Sequence, residues 1–125
     1  MPSKFHSKKI TAHGITFDSK KEYRRYCELL LLERAGKIQS LERQKVFELV
    51  PAQYETFERY GKKGQRLKDG KRCIENAVKY IADFVYIENG KTVVEDTKSE
   101  ATKTKDYIIK RKLMLYVHGI RIKEI

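Results

Sequence analysis

The chain has 125 residues, with 28 Lys and Arg against 17 Asp and Glu and a formal net charge of +11. That length suits one domain, 1–125, and its longest apolar run, Leu29–Leu32, is far short of the roughly 20 residues a membrane-crossing helix needs. Lys4, His6, Lys8 and Lys9 interrupt any apolar leader, and Cys27 and Cys73 are too few for a disulfide scaffold, so a cytoplasmic protein is expected. The excess of positive charge calls for a polyanionic partner: nucleic acid first, an acidic membrane surface or ribosome after it.

In chain order, a basic arm over about residues 1–9 comes first. Two short extended pieces, Lys9–Ala12 and Ile15–Phe17, then flank a His13-Gly14 turn. A helix is predicted from Lys20 to about Ala35. Asp18 or Ser19 is its N-cap, Glu22 stands at capping-box spacing from Ser19, and Gly36 stops it. From Leu41 the texture turns to β, with a strand over Gln44–Val50 ended or bent at Pro51. Glu58–Arg72 holds three glycines among Lys and Arg and reads as a basic loop or the tip of a long ribbon. Strands over about Ala77–Ile87 and Lys91–Lys98 follow, then a helix over about Thr102–Val117 and a final alternating strand, Ile120–Ile125. The order helix-strand-strand-strand-helix-strand implies an α/β fold with a mixed sheet flanked by helices.

Asn89-Gly90 between two β runs is a strong hairpin signal, because a type I′ turn needs positive φ at both central residues. With that turn Glu88 faces Lys91, Val85 faces Val94, and Asp83 faces Asp96. A three-residue loop with a bulge would instead oppose Asp83 to Glu95. In the first register Asp83, Val85, Val94, Asp96 and Lys98 share one face, and Phe84, Tyr86, Val93 and Glu95 share the other. Like charges directly opposite, about 5 Å apart, destabilise a sheet unless compensated. Two such carboxylates with an ammonium nearby suit a hard divalent cation, Mg²⁺ or Mn²⁺. Glu22 lies at the edge of its helix's apolar stripe, where it either closes the capping box or looks toward the sheet. His6, His13, His118 and the cysteines lack zinc-ligand spacing.

Ile81-Ala82-Asp83-Phe84-Val85-Tyr86 followed by Val93-Val94-Glu95-Asp96-Thr97-Lys98 resembles the PD-(D/E)XK nuclease signature. Within that superfamily the chain is similar to a small phage- and prophage-encoded family with a "DSKKE" helix start, an "ADF" strand and a "VEDTK" strand. The similarity runs from Ile15 to the closing Gly119–Glu124, and in motif order it extends to phage junction-resolving endonucleases. The resemblance implies a restriction-endonuclease-like core and a Mg²⁺- or Mn²⁺-dependent endonuclease acting on DNA, branched DNA such as Holliday junctions included. It implies a phage or prophage setting in a bacterial cytoplasm, and a homodimer if junctions are the substrate. It makes Asp83 and Asp96 metal-binding acids, the Thr97 backbone carbonyl a further ligand, Lys98 the catalytic lysine, and Glu22 the acid from the first helix. Ala82 stands where the motif has proline, and Asp96 where glutamate is commoner, which leaves Glu95 as a rival ligand.

DNA must also be held. Lys103, Lys105, Arg111 and Lys112 of the second helix are candidate phosphate contacts, with Tyr107 lining the site, though the same residues make an ordinary amphipathic helix. Lys62, Lys63, Arg66 and Lys68 of the glycine-rich stretch would clamp a backbone or enter a groove, unless that stretch is a solvated insertion. A non-catalytic DNA-binding or recombination-accessory protein is the alternative in a second function class, and an RNA- or ribosome-associated protein a third.

Overall fold

A computed structural model describes residues 9–125, so the expected N-terminal arm lies outside the described residues except for Lys9. A small antiparallel hairpin of β1 (Ile10–Ala12) and β2 (Ile15–Phe17) leads into α1 (Lys20–Arg34). Ser19 is the N-cap of α1: its hydroxyl accepts the Glu22 N–H at 3.1 Å. Then come β3 (Gln39–Val50), β4 (Gln53–Tyr60), β5 (Arg66–Glu75), β6 (Val78–Glu88) and β7 (Lys91–Asp96). A 3₁₀ turn (Glu100–Thr102), α2 (Lys105–His118) and β8 (Lys123–Glu124) complete the chain.

The main sheet is mixed, in the order β3-β6-β7-β8. The first three strands are antiparallel, and β8 runs parallel to β7 after the crossover through α2. Each face carries one helix. On one side Leu29 of α1 and Ile38 pack on Phe84 and Tyr86. On the other, Tyr107 and Met114 of α2 pack on Leu49, Tyr80, Val85, Val94 and Ile122. Covering both faces of a sheet is what lets its central strands be apolar on both sides. The fold is therefore mixed α and β, as expected.

The Asn89-Gly90 turn has φ of 52° and 77° at its two residues. It pairs Glu88 with Lys91, Val85 with Val94 and Phe84 with Glu95, which is the first of the two registers weighed above. The ladder stops at Phe84–Glu95, one pair short of the expected Asp83–Asp96 pairing. There the alternation of β6 changes phase: Tyr80 and Ala82 belong to the same cluster as Val85 and Val94, while Phe84 and Tyr86 belong to the other. On the neighbouring strand Gln44 has φ of 52°, a left-handed conformation that a non-glycine residue adopts rarely. The two irregularities lie side by side, because Arg43 pairs with Phe84 and Lys45 with Ala82.

The expected element order needs correction. Five strands, not three, lie between the helices: of the two readings of Glu58–Arg72 the ribbon tip holds and the loop does not, and the ribbon's two strands, Gln53–Tyr60 and Arg66–Glu75, were not expected as strands. Its glycines and charges hide a period of two, and cross-strand stacking supplies the order that burial does not. The final strand shrinks from Ile120–Ile125 to Lys123–Glu124, since Ile120 and Ile122 turn into the α2-side core. Both cysteines are free, Cys27 half-buried and Cys73 exposed. Among the described residues no helix is long and apolar enough to cross a membrane.

The closer of two ion pairs between α1 and the sheet joins Arg25 to Glu95. The Arg25 guanidinium donates from Nε to Glu95 Oε1 at 2.7 Å and from its terminal nitrogen to Oε2 at 2.6 Å, and the Tyr86 hydroxyl donates to the same carboxylate. Glu95 has no solvent exposure at all. Removing Arg25 leaves that charge buried and unpaired, so Arg25→Leu is expected to lose roughly 3–5 kcal/mol in denaturant unfolding. Adding Glu95→Gln, which removes the charge but keeps an acceptor for Tyr86, should recover much of the loss.

Candidate active site

Asp83 and Asp96 meet at the end of the β6–β7 ladder, at the floor of an open cleft of about 380 Å³. Gln44, Tyr80, Lys98, Tyr107 and Lys110 also line it. Asp83 is held by the segment just past β7: the Thr97 N–H and hydroxyl both donate to its Oδ2, at 2.9 and 2.7 Å. Gln44 Nε2 approaches the other oxygen at 3.4 Å. Thr97 thus has a part that the sequence reading did not assign to it, orienting Asp83 through its amide and hydroxyl.

Asp96 is 4% exposed. Its Oδ2 accepts the Tyr80 hydroxyl, and its Oδ1 lies 3.4 Å from Lys98 Nζ. Burial, with the Asp83 carboxylate beside it, pushes its pKa up to about 7, against the pull of Tyr80 and Lys98. Lys98 itself is seated over the Tyr107 ring, 4.4 Å from its centroid, a cation–π contact that fixes the ammonium at the cleft. The Tyr107 hydroxyl donates to Glu124 at 2.6 Å, so the ring is anchored from β8.

Glu22 is 2% exposed and faces the sheet. Its pKa is also raised to about 7, by burial first and then by Asp83 and Asp18. The Asp18 N–H donates to its Oε2 at 3.3 Å, and Arg43 lies 3.7 Å from Oε1. Both readings of Glu22 are therefore partly realised: it caps the start of α1, one residue before the usual capping-box partner, and it feels the charge of Asp83. The Arg43 guanidinium lies over the Phe17 ring at 4.6 Å, and its Nε is buried without a hydrogen-bond partner. Glu95 is removed as a rival ligand, since it points to the α1 face and its carboxylate is taken by Arg25 and Tyr86.

The donors present are hard oxygens, two carboxylates at the cleft with Glu22 behind them. Among the described residues no three acidic, His or Cys side chains converge on one point. A pair of carboxylates with room for water still fits Mg²⁺, which keeps several waters and commonly uses one or two carboxylates.

The expected nucleic-acid contacts on α2 divide. Lys105 and Lys112 are exposed. Lys103 and Arg111, both partly exposed, instead turn onto Glu124, at 3.3 and 3.1 Å, where they brace β8. Hydrogen bonds from Tyr107, Arg111 and Lys103 hold the Glu124 carboxylate at about 2, outweighing its partial burial. Lys62, Lys63, Arg66 and Lys68 sit at and beside the ribbon turn, away from the cleft. Tyr80 and Gln44 went unnoticed in the sequence, and Lys110 stood out only as one of the basic residues of the second helix. No local signal marks them for the cleft: Gln44 and Lys110 reach it from β3 and α2, and Tyr80 lies on β6 ahead of the point where the strand changes phase.

Residues 2–123 match the family described as Protein of unknown function (DUF1064), and the chain belongs to that family. No curated protein and no solved structure matches it.

The raised acids set a pH dependence. Asp96 and Glu22 hold protons up to about pH 7 in the folded chain but release them near their ordinary values of 3.8 and 4.5 when unfolded. Between those limits the folded state binds more protons, so stability falls as pH rises. Without divalent cations the Tm should drop by about 5 °C or more from pH 5 to pH 8. Asp96→Asn should flatten that profile and raise the Tm at pH 8, as followed by circular dichroism.

Proposed function

For this member of the DUF1064 family we propose a divalent-cation-dependent DNA endonuclease with a restriction-endonuclease-like core. The observation that carries the reading is the meeting of Asp83 and Asp96 at the cleft. Two neighbouring carboxylates, one of them buried, cost stability that nothing in the fold requires. A cation with oxygen ligands removes that cost. The core order supports the reading: with the β4–β5 ribbon set aside, α1, β3, β6, β7, α2 and β8 follow the helix-strand-strand-strand-helix-strand sequence of the resemblance.

Asp83, Asp96 and the Thr97 carbonyl would hold Mg²⁺ or Mn²⁺, with Glu22 reaching a second ion or its water shell. When bound, the ion supplies Lewis-acid polarisation of a phosphoryl oxygen and acidifies a water. The chain's own groups do the rest. Thr97 and Gln44 keep the Asp83 carboxylate in one orientation. Lys98, held on Tyr107 beside Asp96, presents an ammonium to the charge that develops on the phosphoryl oxygens, or orients the attacking water. Lys105 and Lys112, exposed on α2, would take flanking phosphates. Selectivity for branched DNA, within phage replication, recombination or packaging, is the narrower form of the proposal. It requires a two-fold homodimer, so that two sites act on one junction.

The test is cleavage of duplex, single-stranded and four-way-junction DNA with Mg²⁺ or Mn²⁺. Asp83→Asn and Lys98→Ala should each lower the cutting rate by at least about 10²-fold while DNA binding persists. Wild-type binding without any cutting would instead make the chain an accessory DNA-binding protein. A preference for RNA would move it to the third class.

A further inference from the structure

The cleft leaves the ribbon unexplained. β4 and β5 continue the β3–β6 pair outward, past Pro51-Ala52 on one strand and Asn76-Ala77 on the other. The 8 residues of β4 alone extend about 26 Å at roughly 3.3 Å per residue. Such an arm, with most of its side chains in solvent, needs a reason to be ordered, and its cross-strand contacts supply one. The Phe57 ring lies across Gly70, its partner in the register, where a Cβ on residue 70 would fall 2.2 Å from the ring. Arg72 stacks over the same ring at 4.4 Å and pairs with Glu55 at 3.0 Å. Lys71 covers Tyr54 at 4.3 Å. These contacts make the ribbon a built arm rather than a solvated insertion.

Its charges are sorted along its length. Of the four acids on its flanks two are ion-paired, Glu55 with Arg72 and Asp69 with Arg66 at 2.7 Å, while Glu58 accepts the Tyr60 hydroxyl and Glu75 forms no ion pair among the described residues. From Arg59 to Lys68 there is no acid. Within that stretch Arg59, Lys62, Lys63 and Lys68 are exposed, and none forms an ion pair among the described residues. A narrow, stiff, two-stranded projection with unneutralised cations at its end matches a particular cavity in both shape and sign. The B-form major groove, about 12 Å wide, admits a two-stranded ribbon between walls of phosphate. The major groove of A-form RNA is too deep and narrow for side chains to read, and a single strand offers no groove.

We propose that the β4–β5 ribbon enters the major groove of a B-form DNA duplex, with Arg59, Lys62, Lys63 and Lys68 on the flanking phosphates. This rests on the endonuclease reading only for the choice of DNA, and the test is run in EDTA so that binding is read whether or not the cleft cuts. Fluorescence anisotropy compares one labelled sequence as DNA duplex, RNA duplex and single-stranded DNA. The DNA duplex should bind tightest. Lys62→Ala/Lys63→Ala/Lys68→Ala should weaken it by at least about tenfold and reduce the slope of log affinity against log salt by about 2.7, or 0.9 per lost phosphate contact. A second comparison uses the unaltered protein: bulky substituents on cytosine C5, which fill the major groove, should abolish the preference for duplex DNA. Equal affinity for the RNA duplex or the single strand, an unchanged salt slope in the triple variant, or undiminished binding to the filled groove would each overturn the proposal.

Discussion

Successive side chains of β7 leave opposite faces of the sheet, and at Glu95-Asp96 that alternation sends one carboxylate toward each helix. On the α1 side Glu95 meets Arg25 in a two-pronged, charge-assisted contact, with Tyr86 completing it. On the α2 side Asp96 meets another acid. The first arrangement is self-contained: every charge has its partner, and it fastens a helix to the sheet. The second is open, and it can be open because the first holds the strand in register. If β7 slipped by one residue, the two acids would exchange faces and the contact of Glu95 with Arg25 and Tyr86 would be lost.

Asp83 stands at the junction of these effects. It lies where β6 loses its phase and where the hairpin ladder ends, so the residue has no ladder partner and its carboxylate accepts the Thr97 N–H and hydroxyl. Its charge is felt on both sides, by Asp96 along the sheet and by Glu22 from α1. The start of α1, the end of β7 and the bend in β6 therefore converge electrostatically although they are distant in sequence. Among the described residues Lys98 is the cation that ion-pairs with this acidic group from the cleft side, and Tyr107 keeps it there. Arg43 faces the group from behind, through Glu22.

The surplus of positive charge is not spread evenly. Some of it is used internally: Lys103 and Arg111 close on Glu124, and Arg66 and Arg72 on acids of the ribbon. What remains outward includes Lys105 and Lys112 on α2 and the ribbon tip. A net charge of +11 thus gives way to two separated basic surfaces with an acidic cleft near one of them. Under the proposed function those surfaces hold a polyanion and the cleft acts on it.

Much of this was legible in the residues, where the physics is local. An Asn-Gly turn demands positive φ at both positions, and with a two-residue loop the pairing of β6 with β7 and the facing of Val85 on Val94 follow, while the choice against the bulged register was made by the packed structure. The Ser19 cap and the reach of α1 were equally local. Other features depended on contacts between distant segments. The face of Glu95 was decided by Arg25, the fate of Lys103 and Arg111 by Glu124, and the support of Asp96 by Tyr80. The ribbon is held by cross-strand contacts, Phe57 on Gly70, Arg72 on Phe57 and Lys71 on Tyr54. Turn chemistry and side-chain alternation act over a few bonds and so are written in the order of residues. Which cation neutralises which carboxylate depends on distances that exist only once the chain has packed.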